Sequence, residues 1–137
     1  MYFAGLSYLA VALAGVAGFA FGAAYYMTFG DRWMNALGKT KKDIEDNKSP
    51  LPFIIAAIAQ FVMAFVLAGA IGHLGDGMVT VPNAIITALF LWVGFVLTTM
   101  AVNYAFQGAK PMLTVIDGGH WLGVLLVQGL IIGWVGV

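Results

Sequence analysis

The sequence contains no cysteine and very few charged residues. The absence of cysteine excludes disulfides, thiolate metal sites and cysteine nucleophiles. Charged residues make up 9% of the chain and apolar residues 62%, whereas soluble domains have about 25% charged residues. A soluble fold would have too few charges to cover its surface, but a surface that faces lipid needs no such cover. The six basic residues balance the six acidic ones and form no stripe, so nucleic acid is not an expected partner.

Four long apolar stretches predict an all-α protein that crosses a membrane four times. They cover residues 3–29, 53–74, 83–106 and 112–134. At about 1.5 Å per residue, each is long enough to cross a hydrocarbon core of about 30 Å. They show no alternation of polar and apolar residues, and only helices or closed barrels satisfy the backbone in lipid. We therefore expect the whole chain to form a single domain, a four-transmembrane-helix bundle.

Most of the charged residues lie in the one long loop that we predict, residues 30–52. Within this loop, Thr40 is followed three residues later by Asp43, a spacing that resembles a capping box and predicts a short helix from Lys41. The loop ends near Pro52, since proline is well suited to the first turn of a helix.

All six basic residues lie on one side of the predicted bundle. They are Arg32, Lys39, Lys41, Lys42, Lys48 and Lys110. The first five lie between predicted helices 1 and 2, the last lies between helices 3 and 4, and these two connections share a side. An excess of lysine and arginine marks the cytoplasmic side of a membrane protein. We therefore expect both termini on the outer (periplasmic) side.

Small residues recur at four-residue spacing in three of the predicted helices. The positions are Ala14, Gly18 and Gly22 in helix 1, Ala68 and Gly72 in helix 2, and Gly119, Gly123, Gly129 and Gly133 in helix 4. Small residues let transmembrane helices approach closely, and packing of this kind drives helix association in lipid. We interpret these positions as helix-packing contacts within the chain or between copies of it, with close approach of a lipid or cofactor as the alternative.

Polar side chains inside the predicted spans are candidates for a functional site, because polar and ionisable groups are costly in a bilayer. They gather in the half that carries the basic residues, and they are Asp117, His120, Asn103, Thr99, Gln60 and Tyr25. In one hypothesis Asp117 accepts a proton that His120, on the same helical face, tunes or shares. In the other, Asp117 is hydrated at the interface while Asn103 and Thr99 join helices.

The sequence offers little further chemistry. Gln128 lies deeper in helix 4 and is interpreted as a contact between helices. One acidic residue and one histidine are too few ligands for a metal site, so no metal and no cofactor are expected. No catalytic triad, pair of catalytic carboxylates or zinc-binding helix motif is recognised, so we assign no catalytic residue.

Three motifs resemble those of a known family. They are Gly22-Ala-Ala-Tyr25-Tyr26 with Phe29-Gly30-Asp-Arg-Trp33, then Gly94-Phe95-Val-Leu-Thr98-Thr99 with Asn103-Tyr104-Ala-Phe106, and Ile116-Asp117-Gly118-Gly119. In these the chain resembles a bacterial family of small four-helix membrane proteins, domain of unknown function 1761. The resemblance spans nearly the whole chain. It implies four helices in the inner membrane and supplies no activity.

The last motif departs from the pattern of that family, which usually reads Ile-Asn-Ala-Gly-Tyr. Here Asp117 stands where asparagine is usual, and His120 stands where tyrosine is usual. The pair is therefore either a specialisation of this chain or a tolerated change at the interface.

Two functions are consistent with these features. The first is a non-catalytic structural or accessory subunit, embedded in membrane lipid as a homo-oligomer or as part of a larger membrane complex. The small-residue faces and the scarcity of reactive groups favour it. The alternative is a small oligomeric transporter or channel with a polar site in its cytoplasmic half. An enzyme acting on lipid or quinone would need a nucleophile or a metal cluster, and neither is recognised.

Overall fold

The structure, a computed structural model, describes residues 5–136, and all the regular secondary structure in that range is helical. The helices are α1 (Tyr8–Leu37), α2 (Lys41–Asp46), α3 (Leu51–Gly72), α4 (Val81–Leu91), α5 (Thr98–Phe106) and α6 (Pro111–Val135). A π-helical turn, Trp92–Leu97, joins α4 to α5, and we call the continuous segment Val81–Phe106 the third span. The first two residues of the predicted helix 1, 3 and 4, lie outside the described range.

Four of these helical segments are long and apolar enough to cross a membrane: α1, α3, the third span and α6. This confirms the predicted all-α bundle of four transmembrane helices. Because successive spans run in opposite directions, the bundle has two ends. The charged end holds the end of α1, α2, the start of α3, the end of α5 and the start of α6. There the Lys110 Nζ donates a hydrogen bond of 3.2 Å to the carbonyl of Asn35.

Helix α1 continues about two turns past residue 29, where the sequence suggested that it would end. Asp31 and Arg32 are therefore helical rather than part of a loop. The helix ends at Gly38, which adopts a φ of 75° and donates its N–H to the carbonyls of the preceding turn. At about 1.5 Å per residue, 30 residues span about 45 Å, so the last turns project beyond a hydrocarbon core of about 30 Å.

The predicted short helix in the loop is confirmed as α2, with its capping box. The N–H of Asp43 donates to Thr40 Oγ1 at 3.2 Å, and the N–H of Thr40 donates to Asp43 Oδ2 at 2.8 Å. The hydrogen bond from the Thr40 backbone is the main cause that lowers the pKa of Asp43 below its ordinary value. The support that Asp43 gives to α2 is therefore present at neutral pH and is lost as the pH falls through that lowered pKa.

Helix α6 is the central helix of the bundle. It packs against α1, α3 and α4, while α1 also packs against α3. Each span contains an apolar stretch of 18 residues. In that stretch 50% of the α6 residues are buried, but only 6% of the residues of the third span. The third span therefore has fewer fully buried residues than the other spans, and about half of its residues are exposed.

Glycines bring α6 and α4 into direct backbone contact. A Cβ atom at Gly133 would lie 2.7 Å from the Cα of Val81, and one at Gly129 would lie 3.2 Å from the carbonyl oxygen of Ala84. Gly123 packs against the ring of Phe21 on α1. These predicted packing positions thus make contacts within the chain.

The other predicted packing positions also face inward or toward neighbouring side chains. Ala14 is fully buried and Ala68 is 4% exposed, both in the apolar core. Gly72 of α3 lies near Leu6, 3.7 Å from where its Cβ would be. The remaining three, Gly18, Gly22 and Gly119, face polar side chains.

We expect Gly133→Ala to lower the free energy of unfolding by about 1–3 kcal/mol, because the added methyl group would meet the backbone of α4 rather than a movable side chain. The matched control is Gly30→Ala in α1, where nothing lies within 4 Å of the added Cβ. That change should be neutral or stabilising by up to about 1 kcal/mol, since alanine favours a helix. Reversible unfolding in mixed micelles measures both, and equal stabilities would contradict the close contact.

Candidate functional site

The candidate site is centred on Asp117 of α6, whose side chain is 7% exposed. Its Oδ1 accepts a hydrogen bond from the hydroxyl of Tyr26 on α1, and its Oδ2 accepts one from Tyr104 on α5, each at 2.6 Å. Distances of about 2.5–2.7 Å are typical of hydroxyl groups bound to a carboxylate. Within residues 5–136 no lysine or arginine forms an ion pair with Asp117. Two neutral hydroxyls therefore stabilise this carboxylate.

The backbone beside Asp117 also accepts hydrogen bonds from neighbouring helices. The Tyr25 hydroxyl donates to the carbonyl of Ile116 at 2.6 Å, and Trp92 Nε1 donates to the carbonyl of Gly118 at 2.8 Å. Gly119 leaves room for this approach, since a Cβ there would lie 2.9 Å from the Tyr25 hydroxyl. One turn of α6 is thus bound by donors from α1, α5 and the π-helical turn.

His120 lies one turn deeper on the same face of α6 and is 6% exposed. Aromatic rings surround it, with centroid distances of 4.8 Å to Tyr26, 5.6 Å to Tyr25 and 4.5 Å to Trp121. On the remaining side it lies against Gly22 of α1, where a Cβ would be 2.7 Å from its Nε2. Its Nδ1 is buried and has no hydrogen-bond partner in the described part of the chain.

A second buried polar pair lies about 12 Å farther along α6, eight residues beyond His120. Gln128 is fully buried, and its Nε2 donates to Gln60 of α3, to Oε1 at 2.9 Å and to the carbonyl at 3.1 Å. The backbone of α1 at Gly18 lies directly against both amides. Val124 is fully buried between His120 and this pair, so the two polar sites are separate.

The structure brings together only part of the predicted set of polar residues. Asp117, His120 and Tyr25 lie in one cluster, while Gln60 belongs to the deeper pair with Gln128. Asn103 and Thr99 lie on the exposed surface of α5, away from the cluster. Asp117 is bound by Tyr104 instead of Asn103, because neighbouring residues of a helix point about 100° apart.

Sequence reasoning did not single out Tyr26 or Tyr104 as site residues, although both lie in the quoted motifs. Tyrosines near the end of a span are typical of the aromatic belt at the membrane interface, and this conceals a tyrosine that points inward. Trp92 had no assigned role, and here its indole anchors the π-helical turn to α6. The interpretation of Gln128 as a contact between helices agrees with its bonds to Gln60.

No group of three or more histidine or acidic side chains that could hold a metal ion occurs in the described part of the chain. The side chains around Asp117 and His120 are suited to holding and moving protons and to joining helices. The tyrosine hydroxyls are the donors and the carboxylate is the acceptor.

The fold and the site together define a polytopic membrane protein, a bundle of four spans with a buried carboxylate bound to tyrosines. The profile of a family described as a protein of unknown function (DUF1761) matches residues 9–133. The chain belongs to this family, as its motifs predicted. No curated protein and no solved structure matches it.

We expect Tyr26→Phe and Tyr104→Phe each to lower the free energy of unfolding by about 1–3 kcal/mol, because each removes a hydrogen bond to a charged acceptor. The control is Tyr8→Phe, since Tyr8 is 69% exposed and its hydroxyl makes no hydrogen bond within the described residues. In an Asp117→Leu background the cost of Tyr104→Phe should fall toward zero, because the acceptor is already gone. An undiminished cost there would show that Tyr104 acts through other contacts.

Proposed function

We propose that this protein is a non-catalytic membrane subunit that assembles with further copies of itself in the bacterial inner membrane, with the third span as the assembly face. The observation that carries this proposal is the exposure of the third span. It is long enough to cross a membrane, yet only 6% of the residues in its apolar stretch of 18 are buried. Its large exposed side chains include Phe90, Val93, Phe95 and Val102.

Apolar side chains on the exposed face of the third span are compatible with contact to lipid alone. The polar side chains on this face therefore distinguish contact with lipid from contact with a second copy. Thr98 and Thr99 satisfy their hydroxyls on their own helix, by donating to the carbonyls of Gly94 at 2.8 Å and Phe95 at 2.6 Å. The side-chain amide of Asn103 makes no such bond within residues 5–136. An amide on an outward face is better satisfied by a second helix, and asparagine side chains associate transmembrane helices in this way.

An apolar groove beside the π-helical turn supplies a second element of the assembly face. Its volume is about 210 Å³, and α3, the third span and α6 line it, with residues such as Val66, Phe95 and Leu125. Phe90, on the same span, is 75% exposed. An enclosed cavity of about 150 Å³ holds a benzene ring, so this open groove has the volume that a phenyl ring from a second copy requires. A two-fold interface is self-complementary, and the third span carries both part of the groove lining and an exposed ring.

The lack of cysteine makes single-cysteine variants clean probes of the assembly face. We expect Val102→Cys to form disulfide-linked dimers in oxidised native membranes, and Met27→Cys to form few. Met27 is the matched control, because it is 86% exposed on α1. It also lies at a similar depth, since the neighbouring Tyr26 and Tyr104 bind the same carboxylate.

A third variant tests the amide. Adding Asn103→Leu to Val102→Cys should lower the association constant of the dimer about 3- to 10-fold, the effect of losing one hydrogen bond between helices in a membrane. Equal cross-linking at positions 27 and 102 would mean random collisions and would overturn the proposed face.

We also propose that the charged end lies in the cytoplasm, supported by the distribution of lysine and arginine. In intact spheroplasts a membrane-impermeant thiol reagent should label Asp76→Cys, in the turn between α3 and α4, and should leave Lys48→Cys unlabelled until the cells are opened. Both positions are exposed, so access through the membrane decides the result. Labelling of Lys48→Cys from outside would reverse the proposed orientation.

A further inference from the structure

We propose that Asp117 and His120 form a buried proton-binding site that takes up one proton from the charged end of the bundle. This goes beyond assembly of the chain and does not depend on it. Within the described part of the chain, the site combines a carboxylate without a cationic partner and an imidazole with an unpartnered nitrogen, one helical turn apart on α6.

The free nitrogen of His120 is the first observation. Its Nδ1 is buried and has no hydrogen-bond partner among residues 5–136, and His120 as a whole is only 6% exposed. Buried polar atoms without partners are rare in native proteins and call for an explanation such as a bound water or a proton. In the tautomer with the ring proton on Nε2, Nδ1 is a free acceptor, and a second proton there would create an imidazolium one helical turn from the Asp117 carboxylate.

The charge balance of the site is the second observation. The titratable groups that face the pair are Tyr25 and Tyr26 from α1 and Tyr104 from α5. The sequences of α3 and of the π-helical turn contain no titratable residue. With Asp117 ionised and the other groups neutral, the site carries one uncompensated negative charge inside the bundle, which is costly in a membrane interior. One proton removes that charge, whether it resides on the carboxylate or on the imidazole.

The position of the site gives the proton one way in. Asp117 is six residues from the start of α6, about 9 Å from its first residue. Tyr104, two residues from the end of α5, is only half-buried and touches the carboxylate from the charged end. On the deeper side Val124 is fully buried and separates His120 from the glutamine pair. The geometry therefore fits a site that binds and releases a proton at one end, and not a pathway across the membrane.

The step itself is a simple transfer. A hydronium ion at the charged end gives its proton to the pair and becomes water, and no other bond is made or broken. A protonated carboxyl group would itself be a donor, so the hydroxyl of Tyr26 or Tyr104 would turn from donor to acceptor. A proton on the carboxylate therefore rearranges the hydrogen bonds that join α1 and α5 to α6, whereas a proton on the imidazole leaves both tyrosines as donors.

The test follows the imidazole directly. The chain has two histidines, so in His73→Gln the signals of ¹⁵N-labelled imidazole come from His120 alone. We expect these signals to change reversibly with pH in lipid. Adding Asp117→Asn should move the midpoint of the change by more than about tenfold in proton concentration, because the neighbouring charge is gone. The control Asp43→Asn removes an exposed carboxylate of α2 and should leave the midpoint in place.

Asparagine keeps the shape and one acceptor oxygen of Asp117, so the Asp117→Asn bundle is expected to fold, and circular dichroism checks this. Tyr104→Phe, which removes one donor and leaves the charge, is the second variant and should move the midpoint less. The proposal is overturned if the imidazole signals of folded protein do not change with pH. It is also overturned if their midpoint is the same with Asp117 and with asparagine.

Discussion

Two hydrogen bonds to one carboxylate hold the charged end of this bundle together. Asp117 on the central helix accepts from Tyr26 of α1 and from Tyr104 of α5, and so joins three helices at one point. Helix α5 contains no fully buried residue, and Tyr104 both donates this bond and packs against the apolar cluster of Leu113 and Ile116 on α6. In lipid the hydrophobic effect does not drive helices together, so helix association depends on close packing and on hydrogen bonds between helices, and these two bonds add direction to the packing.

The opposite end of the bundle is held by a different kind of contact. There Gly129 and Gly133 let α6 lie against the backbone of α4 at Ala84 and Val81, with no side chain between them. The third span is thus fixed at one end by close packing and at the other by hydrogen bonds. Between these ends lies the π-helical turn, with the Trp92 indole bound to the Gly118 carbonyl and the apolar groove beside it. This explains how a span with so little buried surface keeps a defined position.

Much of this fold could be predicted from the sequence, because it follows from length, hydropathy and local signals. The four spans and the capped helix α2 are of this kind. The end of α1 was harder to predict, because charged residues such as Asp31 and Arg32 mark the edge of the membrane, not the end of a helix. The helix ends at Gly38, where the chain adopts the left-handed conformation.

The partners within the site could not be predicted, because they depend on how each helix is rotated about its axis. An extra residue in a π-helical turn rotates everything after it by about 100° relative to a continuous α-helix. The turn at Trp92–Leu97 precedes both Asn103 and Tyr104, and it helps to decide which of them faces Asp117. Length and composition carry no information on such a turn, so Asn103 was among the candidate polar residues, whereas Tyr104, its neighbour and the residue that binds Asp117, was not.

The adjacency of Asn103 and Tyr104 connects the inside of the bundle with its outer surface. Tyr104 points inward to Asp117, and Asn103, the residue before it, lies on the exposed face that we propose for assembly. Since one helical turn carries both side chains, the site and the proposed assembly face are neighbours on α5. The two are separable by mutation, because removing the amide leaves the carboxylate and its tyrosines intact.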